Sequence, residues 1–133
     1  SEKKLKNKVQ RENFIKNEEV ISLYKNSIAL VMPTFVARSS LPLYEAFYFK
    51  KPVFYSKNVL DESLEKFVYL LDLEKPEDLS NQIDKLLKKE INLDEKIKLA
   101  HDFYLNNCKE EMFLDNYREI LNKYNYLSSR WKK

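Results

Sequence analysis

Hydrophobic positions are sparse at the start of the chain and fall into periodic groups after it. SEKKLKNKVQRENFI is polar, with Val9, Phe14 and Ile15 as its main apolar anchors, a pattern that suits an edge strand or an extended lead-in. NEEVISLYKNS then sets Val20, Leu23 and Tyr24 at helical spacing, with Asn17 as the expected N-cap and Glu18 and Glu19 in the first turn, where they complement the helix dipole. IALVM, from Ile28 to Met32, is a continuous apolar run stopped by Pro33 and reads as a strand covered on both faces. Pro42 suits the first turn of a helix reaching about as far as Lys50, and KPVFYS returns as a second buried strand over Val53 to Tyr55. Strand, helix and strand in that order make a βαβ unit.

FVYLLDL, Phe67 to Leu73, is the third expected strand, and Pro76 starts a helix whose buried stripe is Leu79, Ile83, Leu86 and Leu87. The remainder is helical. One stripe holds Ile97, Ala100, Tyr104 and Cys108; another holds Phe113, Tyr117, Ile120, Leu121, Tyr124 and Trp131 and is expected to be core, with an interface to a further domain as the alternative. The series predicts an α/β fold, an open parallel Rossmann-like sheet with C-terminal helices, over residues 1–133 as one domain.

Composition narrows the function. Among 133 residues, 44% are hydrophobic and 14% aromatic, enough for a globular core. The net charge of +3 comes from 24 basic and 21 acidic residues spread through mixed-sign segments, so it gives no argument for nucleic acid. No apolar run approaches the roughly 20 residues of a membrane span and no leader pattern opens the chain, so a soluble cytoplasmic protein is expected. Cys108 stands alone and cannot form an internal disulfide; with His101 as the lone histidine it cannot furnish a conventional zinc site. Glycine is absent, which excludes Gly-rich phosphate loops, whose backbone must approach the ligand without a Cβ. The chain opens at Ser1 without a methionine, a hint of a piece of a longer protein.

In an open parallel sheet, ligands sit beyond the carboxyl ends of the strands. The loop PTFVARSSLP follows the first strand at that edge and runs into a helix N-terminus, whose unpaired N–H groups suit a phosphate or another anion. Arg38, Ser39 and Ser40 add a guanidinium and two hydroxyls there; the plainer reading is that Ser40 caps the helix and Arg38 is solvated. Glu45 lies about one turn into that helix among Leu43, Tyr44, Ala46, Phe47 and Phe49. A carboxylate in such company needs a partner or a role, and one that accepts two hydrogen bonds suits a vicinal diol such as a ribose. The alternative is a Glu45 on a solvated helix face.

LYKNSIALVMPTFVARSSLPLYEAFYFKKPVFYS resembles the donor-binding half of family-4 (group 1) glycosyltransferases, retaining enzymes of the GT-B fold with two Rossmann-like domains. The resemblance rests on Leu23-Tyr24 ending a helix, the apolar Ile28 to Met32, Pro33-Thr34, Leu41-Pro42, Glu45-Ala46 and Lys51-Pro52-Val53. FVYLLDLEKPEDLSNQIDKLL and the tail YREILNKYNYLSSRWKK are also similar to the family, so that the likeness spans roughly residues 14 to 131. It implies that Glu45 binds the ribose hydroxyls of a nucleotide-sugar donor, that backbone N–H groups of Ser39, Ser40 and Leu41 meet its diphosphate beside Arg38, and that position 37 lies near the transferred sugar. Many relatives carry a glutamate there and this chain has Ala37; the usual loop glycines are Arg38 and Ser40.

The resemblance further implies a C-terminal donor domain that acts with an N-terminal, acceptor-binding one and is not expected to turn over alone. The acceptor would be a glycan or lipid-linked sugar, as in capsule or other surface-polysaccharide synthesis, with no cofactor or metal required and membrane contact at most peripheral, at the inner face. A different class of reading is a non-catalytic protein-interaction module on the same scaffold, showing an exposed apolar patch. His101 and Cys108 read as structural, and SSRWKK as a solvated terminus rather than a membrane contact.

Overall fold

Three short strands form where the apolar runs lie, and helices fill the intervals between them. The computed structural model describes residues 12, 14–36, 40–108 and 110–131. In chain order the elements are α1 (Asn17–Asn26), β1 (Leu30–Met32), α2 (Leu41–Tyr48), β2 (Val53–Ser56), α3 (Glu62–Glu65), β3 (Tyr69–Leu71), α4 (Pro76–Leu87), α5 (Asp94–Asn107) and α6 (Glu110–Trp131). The strands pair in parallel in the order β1-β2-β3, with Val31 opposite Phe54 and Tyr55 opposite Leu70. This is the expected α/β architecture, a partial Rossmann-like sheet with C-terminal helices. The lead-in up to Arg11 lies outside the described residues.

Alternation along the strands divides the core. Val53 and Tyr55 face α2 and α5, packing with Leu43, Ala46, Phe47 and Ala100, while Phe54 and Leu71 face α4 through Leu86, Leu79 and Ile83. Phe47, Phe67 and Phe103 form an aromatic knot on the first face, with ring centroids 4.6–6.4 Å apart. Only β2 is buried at every residue. β1 is covered on both faces as its run suggests, Leu30 and Met32 packing on one cluster and Val31 on the other, but it is only half-buried because it pairs on one side only among the described residues. Pairing also trims β1 to Leu30–Met32 and β3 to Tyr69–Leu71, leaving the buried Phe67 and Val68 as a lead-in.

Several ends differ from the expected ones. Asn17 is the first residue of α1 rather than its cap; Lys16 is the N-cap, and its N–H donates to the Glu19 carboxylate at 3.3 Å. α3 is additional to the expected elements, and Asp61 caps it by accepting from the Ser63 N–H at 2.9 Å. α2 and α4 both close in a Schellman turn: Lys50 N–H donates to Phe47 O and Lys51 N–H to Ala46 O, with Lys89 to Leu86 and Glu90 to Lys85 in the second. Leu87, expected in the α4 stripe, is exposed.

The largest departure is α6. From Glu110 to Arg130 every side chain is exposed except the half-buried Ser128, and the stripe expected in the core stands in solvent from Phe113 to Tyr124, with Tyr117 64%, Ile120 63% and Tyr124 67% exposed, while the Trp131 side chain lies outside the described ones. The helical period was sound, but neither core cluster includes a residue of this helix. Among the described residues no helix is long and apolar enough to cross a membrane.

Candidate functional site

The carboxyl end of β1 opens into the loop that the sequence singles out. Past Pro33, the Thr34 N–H donates to Met32 O at 3.0 Å and the Val36 N–H to Thr34 Oγ1 at 3.3 Å, turning the exposed Phe35 and Val36 away from the sheet. Ala37, Arg38 and Ser39, three of the expected donor-site positions, lie outside the described residues. Ser40 is the N-cap of α2, with extended backbone at φ −152° and ψ 154°.

Ser40 does not cap with its side chain. Its hydroxyl donates to Met32 Sδ at 3.4 Å, so the plainer reading of this serine is corrected: it ties the mouth of α2 back to β1. Pro42 has no N–H, the Leu43 N–H turns to Ser40 O at 3.1 Å, and among the described residues no side-chain cap bond is made at the helix mouth. Leu41, expected at the diphosphate, is exposed at that mouth.

Glu45 is half-buried and lies on the side of α2 away from the core-facing Leu43, Ala46 and Phe47. It has a partner. Tyr24, in the last turn of α1, donates its hydroxyl to Glu45 Oε2 at 2.9 Å, with Pro42 O at 3.2 Å as a second acceptor. The Tyr24 ring stacks on Phe49 at 5.2 Å and 9°, so Pro42 and Glu45 of α2 with its C-cap Phe49 hold the whole side chain. Burial first, and the Glu45 carboxylate second, push the Tyr24 hydroxyl well above its ordinary range, which keeps it a donor. Among the described residues Glu45 forms no ion pair. Glu45 borders a cleft of about 310 Å³ whose lining is largely apolar and includes Ile15, Val20, Leu23 and Leu30.

The position of Tyr24 is itself secured. Lys51 sends its ammonium to Lys25 O at 3.0 Å and Ser27 O at 2.8 Å, closing the carboxyl end of α1 over the start of β2. Tyr24 as the partner of Glu45 is a contact the sequence did not reveal; the available signal was a tyrosine closing a helix just ahead of an apolar strand.

The other candidates are structural. His101 Nδ1 lies 3.1 Å from Phe47 O, which can only accept, so that nitrogen carries the proton and ties α5 to the end of α2. Burial pushes the Cys108 thiol up, away from reactivity. At the carboxyl end of β3, the Glu74 N–H, with Lys75 and Lys57 adding to it, holds the Asp72 carboxyl below its ordinary range, while Asp78 accepts from the Asp72 N–H at 2.9 Å.

The family model described as glycosyl transferases group 1 matches residues 1–104. The chain belongs to this family. As a group 1 glycosyltransferase it takes sugar donors and acceptors as its partners in general terms. The match includes the lead-in before Phe14 and ends inside α5, so α6 falls beyond it. No curated protein matches the chain.

Proposed function

We propose that this chain is the C-terminal, donor-binding part of a retaining, GT-B-type glycosyltransferase. Its mouth at α2 takes the diphosphate of a nucleotide sugar and Glu45 takes the ribose. The observation that carries this reading is the carboxylate of Glu45, held by Tyr24 one turn inside a helix whose N-terminus carries no side-chain cap among the described residues. A helix mouth of this kind supplies N–H groups and a partial positive charge, and a carboxylate can accept both hydroxyls of a vicinal diol. Ser39, Ser40 and Leu41 supply the N–H groups for the diphosphate, Arg38 adds its charge, and position 37 lies beside the sugar.

In this reading transfer needs no metal. The leaving diphosphate is stabilised by electrostatics, and a further N-terminal domain brings a glycan or lipid-linked acceptor, in surface-polysaccharide assembly of the capsule type. The test is titration of the isotope-labelled chain with UDP, GDP and ADP, followed by NMR. Shifts gathered between Ser40 and Glu45 for one of them, with affinity at least about tenfold lower in Glu45→Ala, are the expected result. Silence for all three overturns it and favours the second reading, a non-catalytic interaction module, for which the exposed stripe of α6 is the supporting observation.

A further inference from the structure

We propose that Tyr24 is a positioning residue for the donor ribose: its hydroxyl locks the Glu45 carboxylate into the orientation that leaves Oε1 free for a vicinal diol. The inference rests on the reading of Glu45 given above and adds a residue from a different helix to that site.

The geometry assigns the proton. A phenol has one hydrogen and two acceptors stand within reach, Glu45 Oε2 at 2.9 Å and Pro42 O at 3.2 Å. The carboxylate is both the nearer and the charged one, so it takes the hydrogen bond. Oε2 is then half-used, and Oε1 together with the second lone pair of Oε2 remains for two hydroxyl donors. A free glutamate on an exposed helix samples several rotamers, and holding it in one before the ligand arrives removes that ordering cost from binding. The tyrosine can do this because it is itself held: its ring is stacked on Phe49, and the end of its helix is closed by the Lys51 ammonium. Ring and hydroxyl both rest on α2, so Tyr24 moves with the element that carries Glu45. The raised Tyr24 pKa keeps the hydroxyl protonated throughout the neutral and mildly alkaline range.

The experiment uses the 133-residue chain and whichever of UDP, GDP and ADP it binds, each compared with its 2′,3′-dideoxy analogue. Tyr24→Phe keeps the ring on Phe49 and removes only the hydroxyl, so the fold is retained and is checked by the amide spectrum. Expected is a loss of about five- to tenfold for the ribonucleotide and no loss for the dideoxy analogue. In a Glu45→Ala background the same change should have no further effect, because the tyrosine then has nothing to orient. An equal loss for both ligands, or a loss that persists without Glu45, makes Tyr24 a structural residue and overturns the inference. No loss for either ligand overturns it also. If the unaltered chain binds ribo and dideoxy forms equally, the ribose reading of Glu45 fails; if Glu45→Ala loses ribonucleotide affinity while Tyr24→Phe does not, that reading stands and the positioning role alone falls.

Discussion

Lys50 and Lys89 sit at φ 54° and 57°, in the left-handed region, at the ends of α2 and α4. In most chains glycine occupies this place after a helix, and this sequence has none, so two lysines carry the steric cost of a Cβ there. Lys50→Gly and Lys89→Gly should each stabilise the fold by about 0.5–1 kcal/mol, read as a higher urea midpoint with unchanged slope. Tyrosines give a second residue-level expectation. The folded state raises the hydroxyl pKa of Tyr24, by burial and by Glu45, and of Tyr69, by burial. A raised pKa means the native state holds its proton more tightly, so this stabilisation is complete below the unfolded value of about 10 and is lost as pH climbs above it. Urea unfolding at about pH 8 and about pH 10.5 should show Tyr24→Phe losing less stability between the two than the unaltered chain, with the share of Tyr69 remaining. Glu45 was legible as a candidate because a carboxylate among apolar neighbours is conspicuous in one dimension. Its partner was not, since Tyr24 and Glu45 meet only once two helices pack, and the contact of Ser40 with Met32 depends on where a strand ends relative to a helix mouth.

Elements were legible in proportion to their length and to the number of neighbours they find. Uninterrupted runs located all three strands, but their ends moved because a strand extends only as far as its partner: β1 begins where Leu30 meets Val53, and Pro33 stops it. α4 was readable from its 3.6-residue stripe and Pro76, whereas the four-residue α3 has too few positions for any period and is visible only through the cap of Asp61. For α6 the period was right and the inference to burial was not, because amphipathicity says that a face is apolar and not what lies against it. The two kinds of apolar position should therefore respond differently. Phe47→Ala removes a side chain at the junction of α2, β2 and α5 and should cost about 3–5 kcal/mol; Ile120→Lys on the exposed stripe should change thermal stability of the α/β body by less than about 0.5 kcal/mol. Differential scanning calorimetry of the two variants decides whether the stripe is as independent of the body as its exposure indicates.

At the scale of the molecule, the sequential order β1-β2-β3 means that among the described residues each strand pairs only with those nearest it in the chain, and this is why a left-to-right reading recovered the architecture. The two covers of the sheet differ in when they become available. α4 follows β3 directly and seals the Phe54 side at once, whereas the Phe47 side is closed by α5, whose His101 meets Phe47 O from 54 residues further along. During synthesis the Phe54 face would be sealed by α4 while α2 alone covers the other, and the aromatic cluster there would stay open until the stretch around Phe103 leaves the ribosome. That interval is when the nascent chain is most prone to aggregate, and when a chaperone that holds apolar surface would have most to protect.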